Sequence, residues 1–342
     1  MTEKLIQING ASGGGRLLRA VLALSIASGK GFAIERIREN RPIPGLMRKH
    51  LAWVRAAREL ADAAVEGEAF ASAALVFIPR AVGLRNISFD LGSAGSIPAV
   101  MAMIAGAAGR FAARQTRAVI RLRGGTLAPE APAFEFARET LLPELKAMGY
   151  PIDFELMRPA FQETGGGEAA LWIEGAFKAK RYRKAERPDS FELSCEILLN
   201  RLPPVIAERE AAVVREAFGI EPIIHALEGS EGPGNAVIIR AATATGTTVF
   251  TEVGRPGMRA ETVAANAVRE AKSFLERRVP VSMRLSDQLI VPLAAAGGGA
   301  FLTSAPSART RAAVAAVAAF CGSPVAMTRS EGGVLIEVPS CL

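Results

Sequence analysis

From Glu3 to Ile8 apolar and polar residues alternate with a period of two, which predicts a strand. Gly10, Gly13, Gly14 and Gly15 interrupt the alternation, and Leu17 to Ala27 then carries the spacing of a helix with a buried face. A strand over Phe32 to Ile37, the proline-rich loop RENRPIPGL and an amphipathic helix over Met47 to Leu60 follow, with Leu51, Val54 and Ala57 on one side. Leu75 to Ile78 and Asn86 to Asp90 read as the strands closing this unit. A second round starts at Gly92 and Gly95 with a helix over Pro98 to Ala113 and a strand over Ala118 to Leu122. After the turn Gly124-Gly125-Thr126 it continues with a helix over Ala133 to Met148 and strands over Ile152 to Leu156 and Ala169 to Ile173. Two rounds of strand–helix–strand–helix–strand–strand predict a structural repeat, although the letters barely repeat.

The pattern then changes. Phe177 to Ser190 holds Lys178, Lys180, Arg181, Arg183, Lys184 and Arg187 against the acids Glu186 and Asp189 and reads as an exposed linker into an inserted subdomain. That insert shows a strand from Glu192 to Leu198 and a helix from Pro203 to Phe218, with Pro203 at a natural helix start. Strands around Ile220 to Ala226, Ala236 to Arg240 and Thr247 to Glu252 follow, then a helix from Arg259 to Arg278. The elements between about Val279 and Val338 complete a third unit. There the small-residue helix pattern behind Asp287-Gln288 breaks at Gly297-Gly298-Gly299, and a strand from Ala300 to Thr303 feeds a helix starting near Arg309. Helix N-termini offer free N–H groups to anions, so this junction is a candidate site.

Composition narrows the class. A chain of 342 residues, 50% hydrophobic and 22% charged, can bury a sizeable core in one large domain or two. The start MTEKLIQING lacks a basic region followed by an apolar one, so no secretory signal is expected, and the apolar runs are too short to span a bilayer. Cys195, Cys321 and Cys341 have no metal-ligand spacing and read as thiols of a cytoplasmic protein. With His50 and His225 as the chain's histidines, no residue set is assigned to a metal. A net charge of +7 favours an acidic partner, nucleic acid before membrane.

Several separated motifs occur in a fixed order: ING and SGGG from Ile8, RENRPIPGL from Arg38, SAGS from Ser93, RGGTLAPEAP from Arg123, TGGGE from Thr164, LPPVIAERE from Leu202 and DQLIVPLA from Asp287. Together they resemble the RNA 3′-terminal phosphate cyclase family over nearly the whole chain. The resemblance implies an α+β fold: a large domain of three repeated units, each two helices on a four-stranded sheet, with a smaller inserted αβ domain. The expected division is 1–178 and 277–342 for the large domain and 179–276 for the insert.

Family members use ATP and a divalent metal to adenylate an active-site histidine. The AMP passes to an RNA 3′-phosphate, and the 2′-hydroxyl closes a 2′,3′-cyclic phosphate. At the position of that histidine this chain has Ser307, whose alkoxide would be a poor leaving group when AMP is passed on. The glycine-rich opening is two residues shorter and lacks the family's glutamate; Asn9, Lys49, Ala102 and Arg284 also depart from its pattern. Gly13, Gly14, Gly15, Arg41, Pro132, Asp287 and Gln288 match it and are the nucleotide-binding candidates the resemblance implies. The glycines also suit a tight strand-to-helix turn, and Asp287-Gln288 also suits a helix cap. His50 reads as a packed or capping histidine. Lys178, Lys180, Arg181, Arg183 and Lys184 are the RNA-binding candidates, or a solvated hinge.

Two readings stay open. One is a cyclase-like RNA-binding or assembly factor with protein partners, after the non-catalytic relatives in ribosome assembly. The other is a divergent active cyclase.

Overall fold

The computed structural model describes residues 5–341 except 12, 94, 130, 162–164, 228, 229 and 231. Glu3, Ser12, Ala94, Glu130 and Thr164, which fall in segments singled out above, therefore lie outside the described residues. The first unit runs β1 (Ile6–Asn9), α1 (Gly14–Ser28), β2 (Phe32–Glu35), α2 (Arg48–Leu60), β3 (Ala64–Glu66) and β4 (Leu75–Ile78). The second runs β5 (Ile87–Asp90), α3 (Ile97–Ala108), β6 (Arg117–Gly124), a π-helical turn (Phe136–Leu141) leading into α4 (Leu142–Ala147), β7 (Ile152–Arg158) and β8 (Gly167–Glu174). β9 (Tyr182–Lys184) follows, then β10 (Glu192–Asn200), α5 (Val205–Phe218), β11 (Ile223–Ala226), β12 (Gly234–Thr243), β13 (Gly246–Val253) and α6 (Ala260–Arg277). The chain ends with α7 (Met283–Ala295), β14 (Gly299–Thr303), α8 (Ala308–Cys321), β15 (Ala326–Ser330) and β16 (Gly333–Val338).

The described strands form four four-stranded mixed sheets: β1-β2-β4-β3, β5-β6-β8-β7, β9-β14-β16-β15 and β11-β10-β12-β13. In each of the first three the leading pair is parallel and the other two pairs are antiparallel. Two sequence expectations change here. Ile87–Asp90 opens the second sheet instead of closing the first, whose missing strand is the short β3 that periodicity overlooked. The stretch read as a linker contains β9, which pairs in parallel with β14. Its Tyr182 is buried. A three-residue strand flanked by charges has too few apolar positions to show a period.

α1 is the central helix. Ten of its residues, from Leu17 to Ala27, are buried, and it packs against α2, α3, α7 and α8. A helix apolar on most sides needs such neighbours. α3 and α7 cross closely: a Cβ on Gly106 would lie 2.7 Å from Pro292 Cγ. The Tyr150 hydroxyl lies 3.0 Å from the carbonyls of both Gly106 and Pro292 at this crossing.

The fourth sheet is covered on both faces. Ile197, Val237, Ile239 and Phe250 face α5 and α6 in one core. Their neighbours Leu198, Ala236, Ile238 and Val249 join the large core. Alternation along a strand distributes consecutive residues to opposite faces. Arg240 ties this sheet to the large core through Glu139 on the π-helical turn at 2.6 Å, and it also reaches Glu196 at 2.7 Å.

Cys321 and Cys341 pair as a disulfide with their Cα atoms 4.5 Å apart, where the sequence suggested thiols. Cys195 stays a buried thiol, pushed up to about 12 by burial. No helix among the described residues is long and apolar enough to cross a membrane.

Candidate anion-binding site

The N-terminus of the central helix opens into the site. α1 begins at Gly14 with no acidic residue in its first turn and no side-chain cap, so its first N–H groups are left to other partners. A Cβ on Gly15 would collide with His50 Nε2, which makes glycine necessary where α2 approaches. His50 is buried, and its Nδ1 accepts a hydrogen bond from the Met47 N–H at 3.0 Å, so it caps its own helix as the sequence suggested. Burial, with Lys49 and Arg38 nearby, pushes it down to about 3. It is therefore neutral at physiological pH.

Around this helix end lies a cavity of about 330 Å³ lined by Arg16, Arg19, Arg38, Arg41, Lys49 and Arg309, with His50, Trp53, Ser96 and Pro132 completing the wall. The six cations come from four separate segments. Arg16 and Arg19 lie one turn apart on α1. Arg38 sits at φ 56°, in the left-handed region that costs a non-glycine residue about 1 kcal/mol. Its Nη1 donates to the Gly45 carbonyl at 2.9 Å, so the loop is tied across its own base. Arg41 follows between that tie and Pro42 and is exposed. Lys49 is in the first turn of α2 and Arg309 in the first turn of α8.

Arg19 reaches Gln288 Oε1 at 3.2 Å. It is lowered to about 10, first by burial, then by Arg309. Burial and Arg41 likewise lower Arg38. Arg16, Arg41 and Lys49 make no ion pair with any described residue. Among the described residues no carboxylate lines this cavity. Like charges held together in a partly desolvated wall are mutually unfavourable, and an anion between them removes that cost.

Asp287 and Gln288 lie in the second turn of α7, whose N-cap is Ser282, so they are not a helix cap. They link helices instead, Gln288 to α1 and Asp287 to α8. Ser307 Oγ donates to Asp287 Oδ1 at 2.5 Å, and Thr310 Oγ1 donates to the same oxygen at 2.7 Å. Ser307 Oγ also accepts from the N–H groups of Arg309 at 2.9 Å and Thr310 at 3.0 Å. A hydroxyl that gives its proton and accepts two N–H groups has both lone pairs engaged. Ser307 thus occupies the position of an N-cap and carries the geometry of one. Burial raises Asp287, opposed by Ser307, Thr310 and the nearby arginines.

The basic run from Lys178 is elsewhere. Lys180, Arg181 and Arg183 border a separate cavity of about 500 Å³ beside Gly297, Gly298 and Gly299. Lys178, Lys180, Arg181 and Arg183 are exposed. Lys184 is instead drawn onto Glu144, which also accepts from the Tyr182 hydroxyl at 2.8 Å. Arg187 is bound to the Arg277 carbonyl at 3.0 Å.

Of the residues singled out in the sequence, Gly15, Arg41 and Pro132 come together in the cation-lined cavity, while Asp287, Gln288 and Ser307 border neighbouring cavities that share Arg16 and Arg309 with it. Arg16, Arg19, Arg38 and Arg309 were missed. Arg16 and Arg19, three apart just after a glycine run, carried a readable signal; Arg38 and Arg309 did not.

Four mixed sheets with helices packed against them, and an arginine-rich cavity where helix N-termini converge, describe an α+β protein with one strongly cationic cavity. The chain belongs to the RNA 3′-terminal phosphate cyclase family, whose model matches residues 11–327. It is 36% identical over 341 residues to the RNA 3′-terminal phosphate cyclase of Ectopseudomonas mendocina (strain ymp), covering 98% of each chain.

Proposed function

We propose that this protein is a cyclase-like RNA-binding factor of RNA processing or assembly that does not carry out histidine-dependent adenylation. The observation that carries this reading is the pairing of a cation-lined cavity with a nucleophile position locked as a helix cap. The cavity meets the needs of an RNA 3′-phosphate or a nucleotide triphosphate, since Arg and Lys donors placed on fixed elements bind phosphate oxygens strongly. Among the described residues the base that reaches Ser307 is Asp287, and the Ser307 oxygen is already committed to three hydrogen bonds. His50, buried and neutral, holds its proton on the nitrogen facing Gly15 and caps α2 with the other. It is not available as a replacement.

In this reading ATP binds through its phosphates without transferring AMP to the protein. The three like-ordered sheets are copies of one unit, and 179–276 is the insert, with β9 returned to the third unit. Exposed Lys178, Lys180, Arg181 and Arg183 give RNA a second contact, with Lys184 as their anchor. The protein works in the cytoplasm with protein partners of an RNA-processing assembly.

Incubation with α-labelled ATP, followed by denaturing electrophoresis, tests the chemistry: no covalent AMP is expected, and an RNA 3′-phosphate should stay uncyclised. Ser307→His alone should restore neither. A labelled band from the unmodified protein would establish the alternative, an active cyclase with a different nucleophile, and peptide mapping would locate it.

A further inference from the structure

The family's chemistry implies a divalent metal, and the donor set here does not suit one. Magnesium requires an octahedron of oxygen ligands and is held on proteins through carboxylates together with substrate phosphates. Among the described residues no group of three or more His, Cys, Asp or Glu side chains converges. Among the described lining residues of the cation-lined cavity, Ser96 carries the side-chain oxygen. Asp287, which borders the neighbouring cavities that share Arg16 and Arg309, is occupied on Oδ1 by Ser307 and Thr310 and faces Arg19 and Arg309. A divalent ion entering this cavity would meet six positive side chains before meeting a ligand.

We infer that this protein neutralises the phosphates of its ligand with its own side chains, chiefly Arg16, Arg41 and Lys49, and binds a metal-free polyphosphate in preference to its magnesium complex. These three have no ion pair to break, so they reach an incoming anion at little cost, whereas Arg19, Arg38 and Arg309 are already positioned by the fold. Chelation of a polyphosphate by magnesium removes two negative charges from the ligand. In a cation-lined cavity that loss weakens attraction, whereas a site built around a metal would gain from it. Trp53, on the same wall, has a buried indole N–H with no hydrogen-bond partner among the described residues and reports on the cavity from within.

The inference rests on the phosphate-binding reading above, and the test separates the two. Inorganic tripolyphosphate is titrated into the full-length protein by calorimetry, first in EDTA and then in excess magnesium. Trp53 fluorescence is followed in parallel in a Trp172→Phe background, Trp172 being the chain's other tryptophan. A single-stranded RNA with a 3′-phosphate is titrated in EDTA alongside. The expected result is saturable binding in EDTA, weakened about tenfold by magnesium. Arg16→Gln with Lys49→Gln should cost at least about another tenfold in EDTA while the thermal midpoint holds. Tripolyphosphate binding that appears or tightens with magnesium overturns the inference and leaves the phosphate-binding reading standing. Glu130, between Pro129 and Ala131 of the lining, is outside the described residues; a magnesium requirement abolished by Glu130→Gln would identify it as the ligand and equally overturn the inference. Failure of both tripolyphosphate and RNA to bind under any condition removes the underlying reading itself.

Discussion

The molecule has two basic regions that differ in almost everything but charge. One is contiguous in sequence, from Lys178 to Arg187, and the fold spends part of it on structure: Lys184 on Glu144 and Arg187 on the carbonyls that hold α6's end. The other is scattered over Arg16, Arg19, Arg38, Arg41, Lys49 and Arg309 and is gathered into one cavity with no carboxylate among its described lining residues. A local density of cations in a sequence therefore says little about where free positive charge accumulates. Salt bridges form with whatever acid the fold brings near, and only the fold decides which cations are left over.

The largest expected effect lies in binding. Changing Arg16, Arg41 and Lys49 together to glutamine should weaken single-stranded RNA by about 100-fold at moderate salt and flatten the log–log salt slope by about 2. The corresponding change of Lys180, Arg181 and Arg183 should flatten the slope while costing less affinity. Equal losses from the two triples would erase the distinction drawn between the regions.

Stability should show the opposite ranking. Lys184→Met strands the buried Glu144 carboxylate, whose side chain is 9% exposed, and should cost about 3 kcal/mol in chemical denaturation. Lys49→Met removes a cation that repels its neighbours and should lie within about 0.5 kcal/mol of the parent. A large loss at Lys49 would mean that it has a structural partner after all.

The field of the cavity also sharpens a pH dependence. His50 is depressed from 6.5 to about 3, first by burial and then by Lys49 and Arg38. The unfolded chain therefore binds a proton that the folded one refuses between those values. Stability should be fully present above pH 6.5 and fall as pH drops toward 3, by at most about 1.4 kcal/mol per pH unit from this group. His50→Gln should remove that component from thermal melts recorded between pH 7 and pH 4, and an unchanged slope would refute the assignment.

The smallest effect is local. Ser307→Ala deletes the α8 cap and should cost about 1 kcal/mol, leaving Arg19 and Gln288 in place. A much larger loss in RNA affinity than in stability would show that Ser307 touches the ligand and does more than cap α8.

Much of this was legible in the letters. Periodicities of two and 3.6 located β4 to the residue and the helices at Arg48, Val205 and Ala260 to within two, because these elements bury one face and leave the other wet. The ordered motifs placed the chain in its family, and the resemblance sets Ser307 where that family has its histidine. Tertiary structure alone decided the rest. It put Tyr182–Lys184 into a sheet, since a parallel partner more than a hundred residues away leaves no local signal. It paired Cys321 with Cys341, and it joined Asp287 to Ser307 and Thr310 across two helices. It also assembled six cations from four separated segments into one wall. Side-chain chemistry is written residue by residue, but the field at a point is a sum over everything near it, and nearness belongs to the fold.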